Sequence, residues 1–157
     1  GTFSKSFGSL GGFIAGDSEV LNYLKHNSRS LIFSASMTPA AVASANKALD
    51  IMLAEPERVE HLWELTEYAH KAFKDAGFDT GRTESPIIPL FVRDTEKAMA
   101  IVSLALAEGV FVTPVIAPAV ARGDELIRFA LMATHTKEQI DFAVEKLVKV
   151  FRTLEIF

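Results

Sequence analysis

Helix-length segments, each opened by a capping residue or a proline, alternate along this chain with apolar runs too short to be helices. That alternation limits the fold more than any other feature. Thr38-Pro39 supplies an N-cap hydroxyl followed by proline at the first helical position, which predicts a helix to about Ala54. Pro56 opens the next. In it Val59, Leu62, Trp63, Thr66, Ala69 and Phe73 recur at helical spacing, and Gly77 ends it. Asp94 caps a helix through Ala107 that Gly109 stops, and Asp17 or Ser18 caps a shorter one to about Lys25. Thr136-Lys137-Glu138-Gln139 is a capping box. It opens a last helix expected to bury Ile140, Ala143, Val144, Leu147, Phe151 and Leu154. The short runs at 11–16, 30–33, 87–92, 110–113 and 126–132 are predicted strands, with Pro89 placing 87–92 at a sheet edge. Segments 79–85 and 114–123 are expected to be flexible loops. The resulting class is α/β, or more narrowly α+β, with helices packed on one face of a small sheet.

Composition narrows the function. The formal charge of −4 argues against a broad basic surface for nucleic acid. The absence of cysteine removes disulfides, thiolate metal sites and a Cys nucleophile together, and fits a reducing cytoplasm. No apolar run reaches bilayer length, since the least polar stretch, 109–121, is broken by Pro114 and Pro118. This leaves room for a peripheral membrane contact but gives no transmembrane segment. The first residues are polar and glycine-rich and do not read as a signal peptide. The chemically richest segment stands at the very start, so the chain is expected to be cut from something longer.

That segment centres on Lys5, a lysine among hydroxyls followed by Gly8, Gly11 and Gly12. A phosphate-binding P-loop would need a glycine directly before the lysine and another five residues earlier, and Ser4 stands there instead. A second reading is a lysine that forms an imine with an aldehyde cofactor. Such an amine must react in its neutral form, with hydroxyls near enough to hold a phosphate. The plain alternative is a solvated loop lysine. Further along, Ser34 and Ser36 precede the Thr38 helix start, where free N–H groups favour an anion. Equally, Thr38 can simply cap the helix while the serines fill a turn. Arg128 stands inside a short apolar strand, where a buried guanidinium requires an anion: a ligand carboxylate, or Asp124 or Glu125. His135 precedes the capping box and is assigned a structural, hydrogen-bonding role.

Gly1-Thr2-Phe3-Ser4-Lys5-Ser6-Phe7-Gly8, continued by Gly11-Gly12-Phe13-Ile14-Ala15-Gly16, resembles the cofactor-lysine motif of the α-oxoamine synthases. These are fold-type I enzymes that use pyridoxal 5'-phosphate (PLP) to condense an amino acid with an acyl-CoA, losing carbon dioxide. The likeness extends through Leu31-Ile32-Phe33-Ser34-Ala35-Ser36-Met37-Thr38-Pro39 and through Asp124-Glu125-Leu126-Ile127-Arg128-Phe129 to Thr136. It implies that Lys5 carries the cofactor, that Thr2 and Ser4 contact it, and that Ser34 and Ser36 reach the neighbouring subunit's phosphate in a homodimer. It implies that Arg128 binds the substrate carboxylate. It also implies that 1–55 closes a large cofactor-binding domain, and that 56–157 is a small domain with helices on a mainly antiparallel sheet.

The segment Thr113-Pro114-Val115-Ile116-Ala117-Pro118-Ala119-Val120 is similar to a mobile loop over the substrate, in the branch that joins L-serine to palmitoyl-CoA. Some relatives carry an arginine in that loop where Ile116 or its neighbours stand here, and Arg122 is the candidate substitute. The alternatives are a 2-amino-3-ketobutyrate CoA ligase or 8-amino-7-oxononanoate synthase type of the same family, and a non-catalytic small-domain module. The ring-stacking histidine and the aspartate partner of the cofactor nitrogen are expected upstream, so these residues alone are expected to be inactive.

Overall fold

The computed structural model describes residues 1–157, in two compact units, Gly1–Pro56 and Glu57–Phe157. The first unit begins with a loop closed on itself. Phe3 N–H donates to the Gly11 carbonyl at 3.0 Å, Ser9 N–H to Phe3 at 2.9 Å and Phe13 N–H to Gly1 at 3.0 Å. The strand expected at 11–16 is absent: only a single bridge, Thr2 to Gly12, forms there. Gly11 is the reason, because its φ of +85° turns the chain out of the extended conformation. Helices α1 (Ser18–Asn27), α2 (Arg29–Ile32) and α3 (Pro39–Ala54) follow. The run at 30–33, expected as a strand, is the single turn α2. Ser28 precedes it and accepts from the N–H groups of Leu31 and Ile32 through its carbonyl. An apolar run this short does not fix its own period. At α3 the expected cap is present: the Thr38 hydroxyl accepts from Ala41 N–H at 3.3 Å, with proline at the helix start.

Packing in this unit is thin. Ala45 is its one buried apolar residue, while Leu10, Ile14, Leu53 and Phe33 are 65–78 % exposed. The helices are held by local hydrogen bonds, and most of their apolar faces remain open.

The second unit has the core. It comprises α4 (Glu57–Asp75), β1 (Ile87–Phe91), α5 (Thr95–Ala107), β2 (Thr113–Val115), β3 (Leu126–Ala130) and α6 (Lys137–Thr153). The sheet order is β1-β3-β2, antiparallel throughout. Ile88 and Leu90 of β1 and Ile127 and Phe129 of β3 point into the core, against residues of α4, α5 and α6. Phe73 meets Phe78 and Phe129 edge-on at 5.2 and 4.8 Å. As expected, β1 is an edge strand. Pro89 has no N–H, Ile87 N–H is taken by the Ser85 hydroxyl at 3.2 Å, and Phe91 N–H by the Asp79 carbonyl at 3.0 Å. The expected strand at 110–113 lies further on, at β2: Val110 and Val112 alternate into the core without pairing. Strand β3 spans Leu126–Ala130, shorter than the expected 126–132, and one further ladder-type bond, Leu131 N–H to the Pro86 carbonyl at 3.0 Å, follows it. The buried stripe of α4 runs through Leu65, Thr66, Ala69, His70 and Phe73, so Val59 and Trp63, each 47 % exposed, lie off it. In α6 Val150 is buried, while Val144 and Leu154 are only partly so.

The β1–α5 turn holds a non-glycine residue in the left-handed region, Arg93, at φ +63°. Its guanidinium pairs with Asp79 at 2.5 Å and Asp124 at 3.8 Å and lies 4.9 Å from the Phe91 ring centre. These contacts offset the roughly 1 kcal/mol that the conformation costs. The hydrogen bond from Arg93, then that from Gly81 N–H, holds the Asp79 carboxyl below its ordinary value.

Phe73 is fully buried. Phe73→Ala is expected to cost about 3–5 kcal/mol in denaturant unfolding, whereas Phe33→Ala in the open unit stays within about 0.5 kcal/mol. Because the folded-state Asp79 carboxyl is depressed, its stabilisation is complete above the ordinary value near 3.8 and is lost as pH falls through the folded value. The melting temperature of Asp79→Asn should therefore lie below that of the parent at neutral pH, and the gap should close in that acid window.

Candidate active site

The closed loop at 1–13 displays Lys5. The Lys5 carbonyl accepts from Gly8 N–H at 3.0 Å, making a turn that leaves its amine exposed and without an ion-pair partner. Thr2 and Ser4 precede it in the same loop, their hydroxyl oxygens 2.9 Å apart, with Ser4 N–H donating to Thr2 Oγ1 at 3.3 Å and Thr2 Oγ1 to the Gly11 carbonyl at 3.3 Å. Phe3 supports the turn from within, packing against Phe7 and Phe13 at 5.3 and 5.5 Å. The glycines make this closure feasible: a Cβ on Gly12 would collide with the Gly1 carbonyl oxygen, and one on Gly11 with the Met37 side chain. An amine able to attack a carbonyl thus shares one tight turn with a pair of rotatable hydroxyls. That donor set fits a phosphorylated aldehyde, with the amine for the carbonyl carbon and the hydroxyls for phosphate oxygens.

The serines before α3 differ from each other. Ser34 spends its hydroxyl on the Ser30 carbonyl, while Ser36 is exposed and its hydroxyl has no partner in the chain. Thr38 is occupied as the cap. Of the two, Ser36 is the free donor.

In the second unit Arg128 lies on the sheet face away from the core, with Pro89 and Thr113 as its register partners. It is exposed and has neither a hydrogen bond nor an ion pair, so the expectation of a buried arginine that must meet an anion is overturned. Strand parity explains this. Residues 125, 127, 129 and 131 turn inward, and 128 turns outward. Neither proposed internal partner meets it. Glu125 is on the buried side, and Asp124 is engaged by Arg93. What remains is one unpaired guanidinium on a sheet face that also carries Ile87, Phe91, Leu126 and Val115, suited to a single carboxylate.

His135 has the structural role expected of it. Its Nδ1 accepts from Met132 N–H at 3.2 Å, which places the ring proton on Nε2.

Two residues have roles that the sequence reading does not give, Arg93 and Glu125, the latter expected only as a candidate partner of Arg128. Glu125 is only 3 % exposed, and its carboxylate accepts from Gly123 N–H at 2.9 Å and Thr95 Oγ1 at 3.2 Å. Its alternation with Ile127, Phe129 and Leu131 was the available signal. Arg93 left no such mark, because its positive φ and its two aspartates come from tertiary structure.

A model of the family aminotransferase class I and II matches residues 1–147. The serine palmitoyltransferase of Bacteroides ovatus is 64 % identical over 156 residues, and that of Sphingobacterium spiritivorum 59 % identical over 156 residues. The 8-amino-7-oxononanoate synthase of Symbiobacterium thermophilum is 43 % identical over 154 residues. These alignments cover 98–99 % of the chain but 39–40 % of the relatives, so the chain spans about two-fifths of their length. A solved serine palmitoyltransferase carrying PLP superposes with a TM-score of 0.90 at 29 % identity, covering 99 % of this chain and 40 % of the other. The Sphingomonas wittichii serine palmitoyltransferase gives 0.89 at 28 % identity, with the same coverage. With the lysine turn, the antiparallel sheet and the family match in agreement, the chain belongs to the aminotransferase class I and II family.

Proposed function

We propose that the protein carrying this chain is a PLP-dependent acyltransferase. It joins L-serine to palmitoyl-CoA with loss of carbon dioxide to give 3-ketodihydrosphingosine, and it acts as a homodimer. The observation that carries this reading is the Lys5 turn, an exposed amine in one loop with the Thr2 and Ser4 hydroxyls, together with 64 % identity to a serine palmitoyltransferase. PLP, when bound, supplies an electron sink for the carbanion at the amino acid's α-carbon.

The chain's own residues do the rest. Lys5 Nζ would hold the cofactor through its carbonyl carbon and, as a free amine, would take the proton from the amino acid's α-carbon. Ser4 would donate to the phosphate, and Thr2 would do so on giving up its bond to the Gly11 carbonyl at 3.3 Å. Ser36 donates to the phosphate of the neighbouring subunit, with Ser34 the weaker candidate because its hydroxyl is already engaged. Arg128 holds the serine carboxylate through paired N–H donors, which fixes the orientation of the α-carbon. The weaker likeness to 8-amino-7-oxononanoate synthase keeps a related amino acid and acyl-CoA as the second reading. A screen of serine, glycine and alanine against several acyl-CoAs separates the two.

Borohydride reduction of the PLP-loaded protein should fix the cofactor on Lys5, located by peptide mass. Labelling elsewhere would refute the assignment. Lys5→Ala should lower kcat roughly 10²- to 10⁴-fold. Arg128→Ala should raise the serine KM about 10- to 100-fold, the equivalent of losing a charge-assisted hydrogen bond, while leaving the acyl-CoA KM near its parent value.

A further inference from the structure

We propose that Glu125 is a positioning residue for amino-acid binding, fixing the start of β3 and the end of the preceding connection so that Arg128 is presented on the open sheet face. The inference rests on the assignment of Arg128 to the substrate carboxylate.

Glu125 is buried without any cation at ion-pair distance. A carboxylate in that setting is costly unless hydrogen bonds replace its water. Here both oxygens are used: Oε1 accepts from the Thr95 hydroxyl and Oε2 from Gly123 N–H. The backbone carbonyl of the same residue accepts from Val92 N–H at 2.9 Å and Arg93 N–H at 2.8 Å. One residue therefore ties together the β1–α5 turn, the first turn of α5 and the returning end of the connection 116–123. Gly123 turns the chain there with φ +90°, and Arg122 lies immediately before it.

Coarse register is already set by Ile127 and Phe129, since a slip of one residue would expose both and bury Arg128. An apolar side chain at 125 would serve that purpose equally well. The carboxylate adds directional bonds that hold Gly123 and Glu125 to fixed neighbours, three residues ahead of the guanidinium. Paired donation to a carboxylate tolerates only small displacement of that guanidinium. Arg93 braces the same junction from outside through Asp79 and Asp124.

The test uses the full-length, PLP-loaded enzyme with Glu125→Ala, Glu125→Gln and Thr95→Val, and with Arg128→Ala as reference. Folding is checked by melting temperature, serine binding by spectral titration, and KM is measured for both substrates. Glu125→Ala should raise the serine KM and Kd about 10-fold with the palmitoyl-CoA KM within about 2-fold. Glu125→Gln should restore them, because its amide oxygen can accept from Gly123 N–H while its amide N–H can donate to Thr95. If Glu125→Ala does not fold, Thr95→Val tests the same bond network and should raise the serine KM about 2- to 3-fold at unchanged kcat. An unchanged serine KM in Glu125→Ala or, where that variant does not fold, in Thr95→Val, alongside a raised one in Arg128→Ala, would overturn this proposal alone. An unchanged serine KM in Arg128→Ala would overturn the carboxylate assignment and this proposal with it.

Discussion

Strand β3 lies between two neighbours, and the strict alternation of its side chains is the constraint on which the second unit depends. Ile127 and Phe129 face inward and close the core over Phe73, while Leu126, Arg128 and Ala130 face outward. Burying side chains of this size stabilises by about 1.5–3 kcal/mol each, more than any single exposed ion pair in the unit contributes. The core therefore decides which way the arginine points. Its exposure is a result of packing on the other side of the sheet.

The first unit works by a different balance. Its order comes from backbone closure around 1–13 and from the capped α3, with almost no apolar burial. Leu10, Ile14, Phe33 and Leu53 each remain largely exposed. The lysine turn is thus specified locally, by its backbone bonds, the Phe3–Phe7–Phe13 contacts and the Ser9 hydroxyl bond to Ala41.

Much of this was legible in the residues. Thr38-Pro39, Asp94 and the Thr136–Gln139 box each opened the helix they announced, because a cap is a local contact between residues three apart. The failures were of another kind. The run 30–33 is too short to distinguish a helical turn from a strand, and at 11–16 the positive φ of Gly11 leaves a single bridge. Val110 and Val112 alternate as a strand does, but pairing begins only at Thr113. Arg128 was placed in the right strand but on the wrong side of the burial argument, although Glu125 three residues earlier already fixed the parity. Lys5 was found by its neighbours in sequence, whereas the Arg93 junction is assembled from distant segments and left nothing to read.

The outer edge of β1 has a further consequence. Pro89 lacks a donor, and the outward N–H groups on either side of it are already spent on Ser85 and Asp79. An incoming extended peptide would find nothing there to donate to its carbonyls. With no free N–H along it, that edge is a poor template for an added strand, and the loop beside it lowers the tendency of this apolar strand to pair with another chain.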